Sequence, residues 1–398
     1  MSVTFPRGFR AAGVTAGMKP SGRPDLGLLV GDEPRSAAGL FTTNLFAAAP
    51  VKLSRSRLGR NLAQAVVVNS GQANAGTGLQ GDRDAEASSA AVADALGVDP
   101  SVVLMCSTGV IGEPLHLDEY LAALPGLVGA LSEDGGDAFA EAIMTTDTVA
   151  KKASAERGPY RVGGCAKGVG MIDPDLKLAT MLAFVTTDAP IPPADIGRLA
   201  TEVLEPRFES LTVDGCTSTN DTVLLLSSAA AGEELVLPGT SGWEQVAEAV
   251  DEVAASLLLQ LAADAEGATH VILVEVTGAE RESDARVIAK AIADSPLVKT
   301  AVFGGDPNPG RILQAIGSSG VQFLPQLVEV SIGNVRVILG GEILPSYFDD
   351  GGAEAARAIL REHDVVLSVS VGGGPGESRA LGVDLSHEYV KINAEYTT

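Results

Sequence analysis

The chain has 398 residues, enough for one large or two ordinary domains. Its 51 acidic and 28 basic residues leave a formal charge of −23, a balance that repels nucleic acid and anionic membrane and excludes both as general partners. Apolar residues make up 45% and aromatics only 4%, so any core is built from Ala, Val, Leu and Ile.

Residues 26–30 read as a short buried strand. Residues 65–68 read as a second strand, with a polar loop over 69–74 at its end. Residues 82–96 predict a helix closed by Gly97. A strand over 102–105 runs into Ser107, Thr108 and Gly109. Helices follow over 117–131, with a break expected at Pro125, and over 137–144, stopping at Thr145-Thr146-Asp147. Residues 160–164 begin a strand that leads to a loop at Lys167. The run 180–185 is apolar at nearly every position, the pattern of a strand buried on both faces.

A helix is expected over 192–204 and a strand over 222–226. The longest helical pattern, 243–263, has Val246, Val250, Val253 and Leu257 in register and delivers Glu266-Gly267 at its end. Then come a strand (270–276), a helix (284–293) and a strand (299–303). A hairpin follows around Gly333-Asn334, then a helix (354–361) and a strand (365–371). The glycine run 372–376 does not satisfy GxGxxG and reads as a loop. Strands and helices alternate, but hairpins intrude, which points to an α+β fold of helices layered on sheets.

No run approaches the roughly 18 apolar residues of a membrane span, and residues 1–8 carry no signal-peptide core. Cys106, Cys165 and Cys216 are too far apart for a disulfide framework or a zinc pattern, which fits a cytoplasmic protein. The four histidines are scattered, so neither a metal nor a histidine base is expected.

One stretch carries chemistry. Lys167-Gly168-Val169-Gly170-Met171-Ile172-Asp173-Pro174 is a glycine-rich turn with a lysine, followed shortly by Ala179-Thr180-Met181-Leu182. Inside a chain, threonine has no built-in base. At a new N-terminus its own α-amine takes the hydroxyl proton, so a cut between Ala179 and Thr180 creates a nucleophile and its base together. The residues alone fit equally a loop before a buried strand in which Thr180 is an ordinary β-branched residue.

This stretch resembles the self-cleavage segment of the ornithine acetyltransferase family, also called the glutamate N-acetyltransferase family. Residues 8–14, 69–74, 106–112, 143–147, 218–222, 264–267, 294–300 and 393–398 resemble the same family, in family order and across nearly the whole chain. Two departures stand out. The family usually has about two fewer residues where Asp175 to Leu178 fill the gap before the Ala-Thr pair. It also usually has tryptophan at the place of Pro309.

The resemblance implies the layered fold shared with the β-peptidyl aminopeptidases, with a core domain over 1–280 and a smaller C-terminal domain over 281–398. It implies a cut that leaves an α fragment (1–179) and a β fragment (from 180), which stay associated, with αβ units expected to form a homo-oligomer. Thr180 is then the nucleophile, and Thr108 and Gly109 form the oxyanion hole. Thr145, Lys167, Thr180, Glu266, Asn393 and Thr398 contact substrate. Acetyl moves from N2-acetylornithine to Thr180 and on to glutamate, without a cofactor. Use of acetyl-CoA as a second donor stays open. From charge, Lys167 suits a substrate carboxylate and Glu266 the ornithine side-chain ammonium. A hydrolase with the same nucleophile and an uncut binding protein remain as alternatives.

Overall fold

A computed structural model describes residues 1–173 and 181–395. Pro174, the proposed cut at Ala179 and Thr180, and Thr398 lie outside the described residues. The chain divides into two compact units. The first comprises Met1–Glu209 and Cys216–Leu261, and the second Ser210–Gly215 with the chain from Ala262 onward. A division at 280/281 would separate β9 (Val271–Ala279) from the two strands hydrogen-bonded to it, β13 (Asp364–Ser370) and β14 (Gly376–Val383).

The first unit holds an eight-stranded mixed sheet. Its strands are β1 (Phe9–Val14), β2 (Leu26–Phe41), β3 (Leu62–Gln72), β4 (Val103–Val110), β5 (Lys151–Arg157), β6 (Tyr160–Lys167), β7 (Leu182–Thr187) and β8 (Thr222–Ser227). They run in the order β4-β3-β2-β8-β7-β6-β5, with β1 beside β2. The long β2 serves both halves. Before an irregularity at Val30/Arg35 it pairs with β1 and β3, and after it with β8.

Alternation along β3 sorts its side chains to two faces. Ala65 and Val67 join Val103, Met105, Tyr120 and Leu127 in one core. Val66 and Val68 join Leu104, Phe139, Phe184 and Leu224 in the other. The sheet is buried on both faces, as the unbroken apolar runs require. The helix Ser241–Ala263 closes onto β6 at Gly164, where a Cβ would stand 2.9 Å from Val253.

The second unit is built on a six-stranded sheet. It adds β10 (Glu329–Ile332), β11 (Val335–Leu339) and β12 (Glu342–Ile343), and its order is β12-β11-β10-β13-β9-β14. Gly333 at φ +55° makes the β10–β11 hairpin turn. The helix Glu282–Asp294 packs Ala285, Ile288, Ala289 and Ile292 on this sheet. Among the described residues no helix is long and apolar enough to cross a membrane.

Several elements differ from the sequence reading. Residues 299–303 belong to a helix, Pro296–Phe303, and not to a strand. Ser295 caps it by accepting the Val298 N–H, and Pro296 at the first turn is pre-set for helix. Helix Leu117–Gly129 continues through Pro125, which forfeits one hydrogen bond to the carbonyl of the exposed Leu121. The expected helix over 192–204 begins only at Ile196 and widens to a π turn over Ala200–Leu204, just before Pro206. Pro309 opens the helix Pro309–Gly317, with Asn308 as its cap, a position that suits proline. The polar residues 69–72, expected as loop, complete β3, and Ser107, Thr108 and Gly109 continue β4.

Candidate active site

Four expected site residues lie in the first unit. Thr108 and Gly109 end β4, Lys167 ends β6, and Thr145 follows the helix Gly136–Ala142. The side chains of Thr108, Thr145 and Lys167 come together directly. Lys167 Nζ donates to Thr145 Oγ1 at 2.7 Å and to Thr108 Oγ1 at 3.1 Å. An ammonium only donates, so Thr108 Oγ1 is the acceptor and its own proton is left to point elsewhere. That proton has no acceptor among the described residues.

Beneath Lys167 sits a carboxylate that the sequence reading left without a role. Asp147 Oδ1 accepts Lys151 Nζ at 2.5 Å and the Gly168 N–H at 2.9 Å, and Oδ2 accepts the Thr145 N–H at 3.0 Å. Asp147 is 1% exposed, Lys151 0% and Lys167 4%. Burial pushes the Asp147 carboxyl up, but Lys167, Lys151 and the Gly168 amide outweigh it and hold the group at about 2. Asp147 is therefore an anion that fixes the backbone on either side of the lysine. In sequence, Asp147 and Lys151 look like an ordinary i, i+4 surface pair, because spacing does not report burial.

Gly109 is set by close backbone packing. It pairs in parallel with Gly71, and a Cβ on it would stand 2.2 Å from the Gly71 carbonyl oxygen. Its φ of +129° is also one that only glycine adopts readily. The strand end carrying Thr108 and Gly109 is braced from behind. Ser107 Oγ donates to Asn69 Oδ1 at 2.5 Å, and Asn220 Nδ2 donates to the Ser107 carbonyl at 2.8 Å. A rigid end to β4 is what a preorganised oxyanion donor needs.

Two more residues of this unit bear on the chain just past the proposed cut. Met181 N–H donates to Asp221 Oδ1 at 2.5 Å, and Met181 O accepts the Thr222 N–H at 3.0 Å. The second bond extends the parallel β7–β8 backbone pairing by one residue toward Thr180, and the Asp221 side chain holds the same residue from its amide. Asn220 and Asp221 lie in the 218–222 run, which the family resemblance singled out without giving either a task.

In the second unit, Asn393 Nδ2 donates to Glu266 Oε2 at 3.0 Å, so these two expected substrate residues meet. Ala179, Thr180 and Thr398 lie outside the described residues. Cysteine does not compete as nucleophile in the interior. Burial pushes the Cys106 thiol up to about 12 and the Cys165 thiol higher still, so neither forms thiolate near neutrality.

Known proteins resemble this chain over its whole length. Residues 10–398 match the model of the ArgJ family. The arginine biosynthesis bifunctional protein ArgJ of Thermosynechococcus vestitus is 45% identical, with 100% of this chain and 98% of that protein covered. The crystal structure of the ArgJ protein of Bacillus halodurans is 40% identical with a TM-score of 0.51, covering 54% of this chain and 98% of that one. The ornithine acetyltransferase of Mycobacterium tuberculosis, solved in complex with ornithine, is 43% identical with a TM-score of 0.43 and covers 44% of this chain and 95% of that one. The chain is thus an acyltransferase, an enzyme of arginine biosynthesis. It belongs to the ArgJ family.

Proposed function

We propose that the chain cuts itself between Ala179 and Thr180 and then uses Thr180 to carry an acetyl group from N2-acetylornithine to glutamate. The freed α-amine, with a reference pKa of about 7.7–8.0, takes the hydroxyl proton as Thr180 Oγ attacks the acetyl carbonyl. The oxyanion that forms is met by the Thr108 hydroxyl and the Gly109 N–H. Ornithine leaves, the acetyl stays on Thr180 Oγ as an ester, and the amine of glutamate attacks that ester in turn. The observation that carries this reading is the position of Thr108: its oxygen accepts from Lys167, which leaves its proton to donate.

A further feature supports it. Met181 is held by Asp221 and Thr222, which anchors the chain next to Thr180. We assign Lys167 and Thr145 to substrate contact, and Glu266 with Asn393 to the ornithine side-chain ammonium. Thr398 is assigned to substrate contact as well. Acetyl-CoA as a second donor follows the bifunctional naming of the relatives. A homo-oligomer of αβ units working in the cytoplasm completes the proposal.

The test is an assay with N2-acetylornithine, with and without glutamate. Ornithine release that requires glutamate is expected. Release at the same rate in water alone makes the protein a hydrolase, and no release at all makes it a binding protein.

A further inference from the structure

We propose that Lys19 is a second cation of the acetyl-transfer site and binds the carboxylate of the amino-acid substrates beside Lys167. The inference rests on the acetyl-transfer reading above and adds to it the residue that holds the substrate's acid end.

Lys19 stands on the loop between β1 and β2, and that loop is built around one buried anion. The Asp25 carboxylate, 0% exposed, accepts the N–H groups of Ala16, Met18 and Lys19 at 2.6, 2.7 and 2.9 Å. Gln72 Nε2 then ties the Met18 carbonyl to the end of β3 at 2.9 Å. The backbone that presents Lys19 is therefore fixed on both sides. Its Nζ donates to Pro24 O at 2.8 Å and to Met144 O at 2.6 Å.

Met144 is the neighbour of Thr145, whose hydroxyl accepts from Lys167 Nζ. The two ammonium groups thus grip adjacent residues of one turn. An ammonium has three donors. The third on Lys19 has no acceptor among the described residues, and the side chain is half-buried, not sealed.

Charge points the same way. Lys19 lies within electrostatic reach of Lys167, Asp147 and Asp25. A half-buried ammonium with a donor to spare favours an anionic hydrogen-bond partner. N2-acetylornithine and glutamate each bring an α-carboxylate, an anion of that kind.

The site's response to pH follows. Burial lowers Lys19 most, Asp25 raises it, Lys167 lowers it, Asp147 raises it and Arg23 lowers it, and the group settles at about 8. A group lowered in this way is charged below about pH 8 and neutral above it. Substrate binding should therefore weaken as pH rises past 8.

The experiment is steady-state kinetics of the self-cleaved enzyme from pH 6.5 to 9.5, with Lys19→Met and Lys19→Arg beside the wild type. Lys19→Met should raise KM for both N2-acetylornithine and glutamate by about 10- to 100-fold, the loss expected for one hydrogen bond to a charged group, with a smaller change in kcat. Lys19→Arg should restore KM to within a few-fold and abolish its rise above pH 8, because arginine stays charged.

A fall in kcat with KM unchanged would mean that Lys19 only braces Met144, and the proposal would be overturned. So would a wild-type KM that is flat through pH 8. If Lys19→Met does not fold, the arginine variant and the wild-type pH profile decide. A wild type that transfers no acetyl rejects the acetyl-transfer reading itself, which is a different result from an unmoved KM.

Discussion

The two sheets bury different things. In the second unit the hydrophobic core on β9, β13 and β14 is Ile, Val, Leu and Ala, its buried Lys299 and Asp384 lie outside that core, and its cross-strand ion pair, Arg379 with Glu275, stands nearer the surface. In the first unit Asn69, Ser107, Thr108, Asp147, Lys151, Lys167, Asn220 and Asp221 are all nearly inaccessible. Burying such groups is unfavourable unless each finds a partner, so a fold concentrates them only where something requires it. The first sheet spends stability at one end to hold donors and charges in place, while among the described residues the second unit buries fewer charged groups, Lys299 and Asp384, outside its hydrophobic core.

The sharpest way to break this comparison is to remove the central anion. Asp147→Ala removes the buried carboxylate that Lys151 and the Gly168 and Thr145 amides share, and should cost about 3–5 kcal/mol of stability in urea unfolding. The same group makes the wild type acid-sensitive. Its folded pKa lies below the unfolded value of about 3.9, so its contribution is complete above pH 4. That contribution, on the order of 2–3 kcal/mol, is lost as pH falls through about 2. Loss of less than about 1 kcal/mol in Asp147→Ala would mean that the cluster is not held by this residue.

Thr108→Ala separates catalysis from architecture. Removing one oxyanion donor should lower kcat by about 10²–10³ while KM and the melting temperature stay nearly unchanged. Turnover within a few-fold of wild type would make Thr108 a strand residue only. The smallest effect is expected in the second unit. Glu275→Ala breaks an ion pair whose partner Arg379 is 66% exposed, and it should change stability by no more than about 1 kcal/mol. A larger loss there would erase the distinction between the two sheets.

Much of the framework was legible in sequence because local chemistry decides it. Gly97 ends its helix at φ +69°, and Gly333-Asn334 turns its hairpin, as their residue types predict. The strand pattern over 299–303 misled because the Ser295-Pro296 cap outranks the strand propensity of Thr, Val and Phe. Residues 69–72 read as loop because polar side chains normally face water. Here Asn69, Ser107 and Asn220 satisfy one another and the backbone inside the sheet. The site was legible in part. Family resemblance pointed to Thr108, Thr145 and Lys167, which do converge; it covered Asp147 without giving it a role, and did not reach the Lys151 beneath them or the Lys19 beside them. Those are chosen by tertiary burial, which no spacing encodes.

The central claim is that Thr180 becomes a chain terminus and acts as one. Intact-mass measurement of the purified protein, with N-terminal sequencing of its fragments, tests that directly. Two polypeptides are expected, the second beginning Thr-Met-Leu-Ala, and Thr180→Ala should give one uncut chain without transferase activity. An uncut wild-type chain that still moves acetyl from N2-acetylornithine to glutamate would contradict it.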